Sequence, residues 1–451
     1  MVVARGDLVS RSEPDSLAAQ QPSRVWLEGR SSRGPSAGLE SITALLAGLG
    51  SPQEGLSVLQ VGGTNGKGSV ATYAAALLTA QGSRTGLYLS PHLQRLNERF
   101  VIDGREVDDH ALDQALGRAI AAVDRLDAQG IHPSYFDVTT AVALVLFSHA
   151  QVQWAVLEVG LGGRLDSTSA VRPQVATVTS IDLDHTALLG DTLGSIAAEK
   201  GAIFRRAHVA VCGESRPVLV RQLHGCAPTA RWREVPRRAL RRVQIDGDRW
   251  RATGVLEDGT GRVIEVPCPS SMALRNGAIA LVCVEEALQR PVDPAPLATV
   301  PVRGRLERIR ATPPVIIDGA HNPAAMTNLV RTLRPLLEGM PVQVVFGAMG
   351  DKDLPGLVAP LRSLAASWHL ASPAVRRAAS TRSISQTLGV LGDAAPRLEH
   401  DSVAAAMGAA HALAREGAGA VVACGSFYLA GEALAAPLEA PGPTLKKPST
   451  T

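Results

Sequence analysis

The stretch Val58-Leu-Gln-Val-Gly-Gly-Thr-Asn-Gly-Lys-Gly-Ser-Val-Ala-Thr72 leaves this chain few folding options. An apolar run from Leu56 to Val61 stops at Gly62-Gly63-Thr64-Asn65-Gly66-Lys67-Gly68-Ser69, after which Val70, Ala74, Leu77 and Leu78 share one helix face. Strand, glycine-rich turn and helix in that order make a phosphate socket. Consecutive backbone N–H groups and the positive helix end face an anion, and Lys67 reaches a terminal phosphate. The spacing departs from the G-x-x-x-x-G-K-[ST] form, because Val61 holds the first glycine position and Gly68 separates Lys67 from Ser69. An ordinary Gly-rich strand-to-helix turn is the competing reading.

The rest of the chain repeats the theme. Helical periodicity over Gly38–Leu49, Asp109–Ala128 and Phe136–Ala150 alternates with apolar strand runs at Gly86–Leu89, Trp154–Val159 and Val175–Ile181. That alternation predicts an open, mostly parallel sheet with helices on both faces. From about 230 to 268, short β-like pieces with Asp-Gly turns at 246–247 and 258–259 suggest a small antiparallel elaboration, closed by a helix over Met272–Leu288. Arg290-Pro-Val-Asp-Pro-Ala-Pro296 reads as a stiff linker. A second, smaller α/β series follows it. We therefore expect an N-terminal arm at 1–36 that is mobile or loosely docked, a nucleotide-binding domain at 37–298, an α/β domain at 299–438 and a disordered tail at 439–451.

Composition excludes some classes. A net charge of +3 over 451 residues, with arginines scattered among acids outside the Arg231–Arg242 cluster, provides no nucleic-acid stripe. Five cysteines without C-x-x-C spacing suit a reduced protein with buried thiols. No apolar run reaches the ~18 residues of a membrane span, and the N-terminus lacks a signal core, so the expected location is the cytoplasm.

Ligands in parallel sheets sit outside the carboxyl ends of the strands. Ser90, Glu158 and His185 all fall at such ends, beside the phosphate turn. A hydroxyl, a carboxylate and an imidazole gathered with phosphate oxygens suit Mg²⁺, although each alone is equally a cap, an ion-pair partner or a hydrogen-bonded loop residue. Lys200, in Ile196-Ala-Ala-Glu-Lys-Gly-Ala-Ile203, is open between a helix-surface lysine and a site residue. In Ile316-Ile317-Asp318-Gly-Ala-His321-Asn322-Pro323, Asp318 and His321 project at a strand end, while Asn322 and Pro323 read as local helix capping. Arg305 is either a surface arginine or a charge brought to phosphate lying between the domains.

Taken in order, Gly63-Thr-Asn-Gly-Lys-Gly-Ser69, Leu89-Ser-Pro-His-Leu93, Leu157-Glu-Val-Gly-Leu-Gly-Gly-Arg-Leu-Asp166, Asp184-His-Thr186, Glu199-Lys200, Gly304-Arg-Leu-Glu307 and Asp318-Gly-Ala-His-Asn-Pro323 resemble the motif set of the folylpolyglutamate synthase/dihydrofolate synthase family, within the Mur ligase superfamily. The resemblance runs from about Gly38 to Leu434. It implies a P-loop-type sheet domain and a Rossmann-like C-terminal domain. It further implies an ATP-dependent amide ligase that adds L-glutamate to dihydropteroate or a reduced folate through an acyl phosphate.

Carried over by motif, Gly63, Thr64, Asn65, Gly66, Lys67, Gly68, Ser69, Asn276, Arg305, Asp318 and His321 would contact ATP. Ser90 and Glu158 would hold one Mg²⁺, and Glu158 with His185 a second. Lys200 would carry a CO₂-derived carbamate supporting that second ion. Phe136, Thr139 and Asp166 would form the pterin wall, and Lys67, His185, Lys200 and His321 would serve catalysis. The implied partners are small molecules alone, with no nucleic acid or membrane, acting on a monomer.

The chain departs from the family pattern at Gly201-Ala202, Ser169, Arg303 and Met272-Ala273, and in its N-terminal arm. Two alternatives stand beside this reading. One is a single-function Mur-type ligase for another carboxylic acid, and the other is an inactive nucleotide-binding regulator.

Overall fold

Strand alternation sorts the first part of the chain onto two sides of one sheet. In the computed structural model, which describes residues 22–34 and 38–438, the strands are β1 (Ser57–Gly62), β2 (Thr85–Tyr88), β3 (Phe100–Ile102), β4 (Arg105–Glu106), β5 (Trp154–Glu158), β6 (Val175–Val178), β7 (Val209–Cys212) and β8 (Arg231–Glu234). They lie in the order β4-β3-β2-β5-β1-β6-β7-β8. Leu59, Val61, Trp154 and Val156 face the helices Lys67–Ala80 and Ser271–Leu288. Their neighbours Val58, Ala155 and Leu157 face the helices Glu40–Gly48, Asp109–Asp127 and Tyr135–His149. This is what period-2 side-chain direction requires of a sheet buried on both faces.

Only the β2–β3–β4 edge is antiparallel in this sheet. It turns at Asp103-Gly104, whose φ values of 48° and 77° fit the Asp-Gly two-residue hairpin. The chain between Arg231 and Glu234, expected in the antiparallel elaboration, instead pairs parallel to β7. The helix Pro217–Gly225 supplies the crossover, and the short arginine-bearing strand blunts the sheet edge. The elaboration itself is β9 (Leu240–Asp246), β10 (Arg251–Leu256) and β11 (Val263–Val266).

The N-terminal arm also differs from expectation over residues 22–34. Pro22–Gly29 is a helix with Leu27 fully buried. Arg24 pairs with Asp109 at 2.7 Å and Asp113 at 3.3 Å, and Arg30 pairs with Asp127 and donates to the Pro133 carbonyl at 3.0 Å. Composition suggested a loose arm because these partners lie 85 to 103 residues away in sequence. Residues 1–21, 35–37 and 439–451 lie outside the described residues.

The segment read as a linker is docked as well, with Val292 and Leu297 buried in the same core as the first sheet. Beyond it, β12 (Glu307–Ala311), β13 (Pro314–Ile317), β14 (Val342–Phe346), β15 (Ala365–Leu370), β16 (Arg397–Glu399) and β17 (Ala420–Cys424) form a second sheet ordered β12-β13-β17-β14-β15-β16. It is parallel except at the β12–β13 edge. Among the described residues, no helix is long and apolar enough to cross a membrane, and the five cysteines are free, four of them buried.

Candidate functional site

The phosphate turn lies beyond the carboxyl end of β1, between β5 and β6, and its shape is enforced by neighbours. Gly63 stands at φ 130°, where a Cβ would collide with the Thr179 hydroxyl and sit 2.9 Å from the Thr179 amide. That hydroxyl donates to the Asn65 carbonyl at 2.7 Å. Thr64 is held twice, its N–H on the Ser180 carbonyl at 2.7 Å and its hydroxyl under the Asp182 amide at 3.0 Å. Gly66, at φ 87°, caps the helix Lys67–Ala80 and leaves room for Asn276, which would lie 2.7 Å from a Cβ there. Glycine is needed at both positions because the left-handed backbone and the close approach exclude side chains.

Lys67 folds back over the turn, its Nζ donating to the Thr64 carbonyl at 3.1 Å. Burial lowers its proton affinity, and Glu158 opposes that. Glu158, at the end of β5, is buried and accepts the Ser90 amide at 2.9 Å. Burial pushes its carboxyl above the usual carboxylate range against the pull of Lys67. A Cβ on Gly68 would lie 3.4 Å from the Glu158 carboxylate, so that carboxylate sits directly at the helix start.

Lys200 is not a surface lysine. It is 4% exposed, and its Nζ donates to the Gly63 carbonyl at 3.0 Å. Burial, aided by the Lys67 charge, brings its pKa down to about 7. The helix carrying it ends at Gly201, where a Cβ would press 2.9 Å from Cys226 Sγ, and continues as a 3₁₀ turn over Ala202–Arg206. Glycine at 201 thus lets this helix pack closely against Pro217–Gly225.

Asp184 is the hub that motif reading left without a role. Its side chain is 6% exposed and gathers Lys352 Nζ at 2.7 Å, Asn322 Nδ2 at 3.1 Å, His321 Nε2 at 3.6 Å and His185 Nε2 at 3.8 Å. Burial alone would raise its pKa, but the two imidazoles and the Lys352 ammonium hold it well below the carboxylate range. His185 is in the left-handed region at φ 49°, ψ 38°, with its N–H on Asp184 at 2.9 Å. Burial brings its pKa down to about 4, leaving it neutral near pH 7. A neutral imidazole at a constrained loop position is suited to act as a ligand.

The second domain closes over this cleft. Arg305 lies 4.5 Å from the Phe427 ring centroid, and His321 tilts on the same ring at 5.5 Å. Asp318 ties the Gly304–Glu307 turn to the start of its own loop, accepting the Leu306 and Ala320 amides at 2.8 Å each. A cavity of about 590 Å³ opens beside Ser90, Glu158 and Arg305, bounded by Pro91, Val302 and Phe427.

Three predicted residues lie away from the metal-side cluster. Phe136 packs where a Cβ on Gly160 would meet its ring. Thr139 is fully buried and shares a 2.7 Å hydrogen bond with the Tyr88 hydroxyl, so it braces the wall and offers no exposed surface. Asp166 is buried and accepts the Gly160, Leu161 and Thr168 amides at 3.0, 2.9 and 3.0 Å, shaping the loop after β5. Sequence reading left Asp184 without a role, gave Asn322 only its cap, and singled out neither Lys352 nor Thr179. Lys352 had a usable signal, following the carboxyl end of β14 in Asp351-Lys352-Asp353.

Among the described residues, no three His, Cys, Asp or Glu side chains cluster as a ready-made metal site. The residues nonetheless suit a hard cation shared with a ligand. A buried carboxylate and the adjoining serine stand beside the phosphate turn and leave coordination positions for phosphate oxygens and water.

Residues 61–225 match the Mur ligase middle domain, and residues 304–427 the Mur ligase glutamate ligase domain. The dihydrofolate synthase/folylpolyglutamate synthase of Escherichia coli is 34% identical over 422 residues, covering 91% of this chain and 94% of that one. The probable bifunctional folylpolyglutamate synthase/dihydropteroate synthase of Haloferax volcanii is 37% identical over 73% of this chain, which spans only 40% of that longer protein. The structure of Mycobacterium tuberculosis folylpolyglutamate synthase complexed with ADP and AMPPCP superposes with a TM-score of 0.84 at 32% identity, over 91% of this chain and 97% of that one.

Proposed function

The chain belongs to the dihydrofolate synthase/folylpolyglutamate synthase family of Mur ligases, and from that membership we propose that it is an ATP-dependent ligase joining L-glutamate to dihydropteroate or a reduced folate, in folate biosynthesis. The observation that carries the proposal is the pairing of the Gly62–Ser69 turn with buried Glu158 and Lys200 under a second α/β domain.

The acid substrate's carboxylate attacks the γ-phosphorus of ATP, forming an acyl phosphate and releasing ADP. The glutamate amine then adds to the acyl carbon, and the tetrahedral intermediate expels inorganic phosphate as the amine loses its proton. Two anions must meet in the first step. Lys67 and the turn amides stabilise charge on the transferring phosphoryl group, and Arg305 adds charge from the second domain. When bound, Mg²⁺ supplies further charge neutralisation, and Ser90, Glu158 and His185 are the residues that would hold two such ions. Asn276, against Gly66 of the phosphate turn, is the candidate contact for the nucleotide base; His321 is the candidate ATP contact from the second domain, and Asp318, whose oxygens take the Leu306 and Ala320 amides, would shape the loop that carries it. Phe136 and the loop shaped by Asp166 form the candidate pterin wall.

Lys200 is the proposed carbamate. Only a neutral amine attacks CO₂, and a pKa of about 7 gives Lys200 a far larger neutral fraction at physiological pH than an exposed lysine has. The anion so formed would reverse the charge next to the metal-side residues. Closure of the domains would exclude water from the acyl phosphate.

The test is ATP-dependent phosphate release with L-glutamate and, in turn, dihydropteroate, tetrahydrofolate and a UDP-muramyl acid. Turnover with either pterin acid is the expected result, and turnover with the muramyl acid alone would overturn the folate assignment.

A further inference from the structure

Asn322 was expected to do no more than cap a helix. It does cap one, its Oδ1 accepting the Ala325 amide at 2.9 Å at the start of Pro323–Leu336. That bond also fixes which end of the amide points away from the helix. The Nδ2 group faces the first domain, donating to Asn65 Oδ1 at 3.0 Å and to Asp184 Oδ2 at 3.1 Å. Asn322 is 2% exposed, and Lys352 from the same domain takes the other Asp184 oxygen at 2.7 Å. Asn65 belongs to the phosphate turn, and Asp184 holds the His185 amide. One buried side chain thus ties the second domain to both ligand-bearing loops of the first.

We propose that Asn322 is a positioning residue which, together with Lys352, latches the second domain onto the phosphate turn and the Asp184–His185 loop, so that seating of the domains and shaping of the nucleotide site are one event. The latch is a set of charge-assisted and amide hydrogen bonds removed from water, where loss of one donor strands its partners. The inference deepens the ligase proposal and rests on it only for the turnover readout. Nucleotide binding and domain closure test the latch independently.

Two substitutions keep the cap and remove the latch. Asn322→Ser retains an oxygen acceptor for Ala325 but has no amide to reach Asn65 and Asp184. Asn322→Asp retains the cap and sets a carboxylate against Asp184. Lys352→Met and Lys352→Arg form the second pair, the arginine being the conservative rescue. The readouts are ADP affinity by calorimetry, the radius of gyration in solution with ADP bound, KM for ATP against kcat, and the thermal midpoint. We expect Asn322→Asp to weaken ADP binding about 5–100-fold, the usual size of coupling between sites, and to leave the ADP-bound protein more open. Asn322→Ser should show a smaller loss in the same direction, and any fall in thermal midpoint should come together with the opening. Lys352→Met should behave similarly and Lys352→Arg should recover. ADP binding and closure unchanged in Asn322→Asp, or a thermal midpoint lowered with no change in closure, would overturn the latch and leave a cap alone. Failure of the wild-type chain to turn over any acid while it still binds ADP would instead count against the ligase reading.

Discussion

Lys200→Met should make the ligand-free protein more stable at low pH and less stable at high pH, and the sign change is the test. The ammonium of Lys200 is 4% exposed, and its pKa falls from 10.5 to about 7 on folding. At 1.36 kcal/mol per pKa unit, burying the charged form costs about 5 kcal/mol. Methionine fills a similar volume without charge, but it strands the Gly63 carbonyl that now accepts Lys200 Nζ at 3.0 Å. That loss is worth about 1–3 kcal/mol. Below pH 7 lysine is protonated in both states, so the full penalty applies and the variant should be ahead by about 2–4 kcal/mol. Between pH 7 and 10.5 the unfolded chain binds the extra proton, so wild-type stability rises by about 1.4 kcal/mol per pH unit relative to the variant. The two curves should cross between about pH 8 and 10. The measurement is urea unfolding from pH 6 to 10, in buffer stripped of CO₂ and divalent cations. Turnover should be lost at every pH. A variant less stable than wild type at pH 6, or a difference independent of pH, would refute the account of Lys200 as a buried, costly amine.

Three further outcomes follow from the same geometry. Gly63→Ala forces a side chain into the Thr179 hydroxyl at φ 130° and should cost about 1–3 kcal/mol in denaturant unfolding, with loss of the ADP-induced rise in thermal midpoint. Asp166→Asn turns an amide NH₂ toward backbone donors at Gly160 and Leu161 or at Thr168; we expect at least about 2 kcal/mol lost and a disordered loop after β5, visible as fast amide exchange. In Glu158→Gln the amide oxygen still accepts the Ser90 N–H. Because burial raises the Glu158 pKa, its ionised form costs stability above the unfolded carboxylate pKa. The variant should therefore match or exceed wild type in thermal midpoint at pH 7 while turnover falls about 100-fold or more; wild-type turnover would remove Glu158 from the metal site.

Much of this protein was legible in sequence because the signals are local. The Gly62–Ser69 turn needs positive φ at Gly63 and Gly66, and both requirements are carried within a few residues of Lys67. Apolar runs and helical periodicity placed most strands and helices within a residue or two, since burial on both sheet faces acts on each segment separately. The exceptions are elements whose own residues carry no clear pattern. Arg231–Glu234 is mostly charged and reads as part of the antiparallel region, although it pairs parallel to β7, and the polar arm around Leu27 is docked by Asp109, Asp113 and Asp127 beside its arginines.

The site divides along the same line. By itself, the sequence determined which chemistry-bearing residues stand at strand ends, because a parallel sheet puts every such end on one edge. Only the tertiary structure decided what each one does there. Lys200 becomes a buried amine through the carbonyl of Gly63, 137 residues away; Lys352 reaches Asp184 across 168 residues; and Asn322 meets Asn65 across 257. No local pattern encodes those distances. Desolvation and pairing, which set the charge state of Lys200, His185 and Asp184, exist only once these distant segments have folded together.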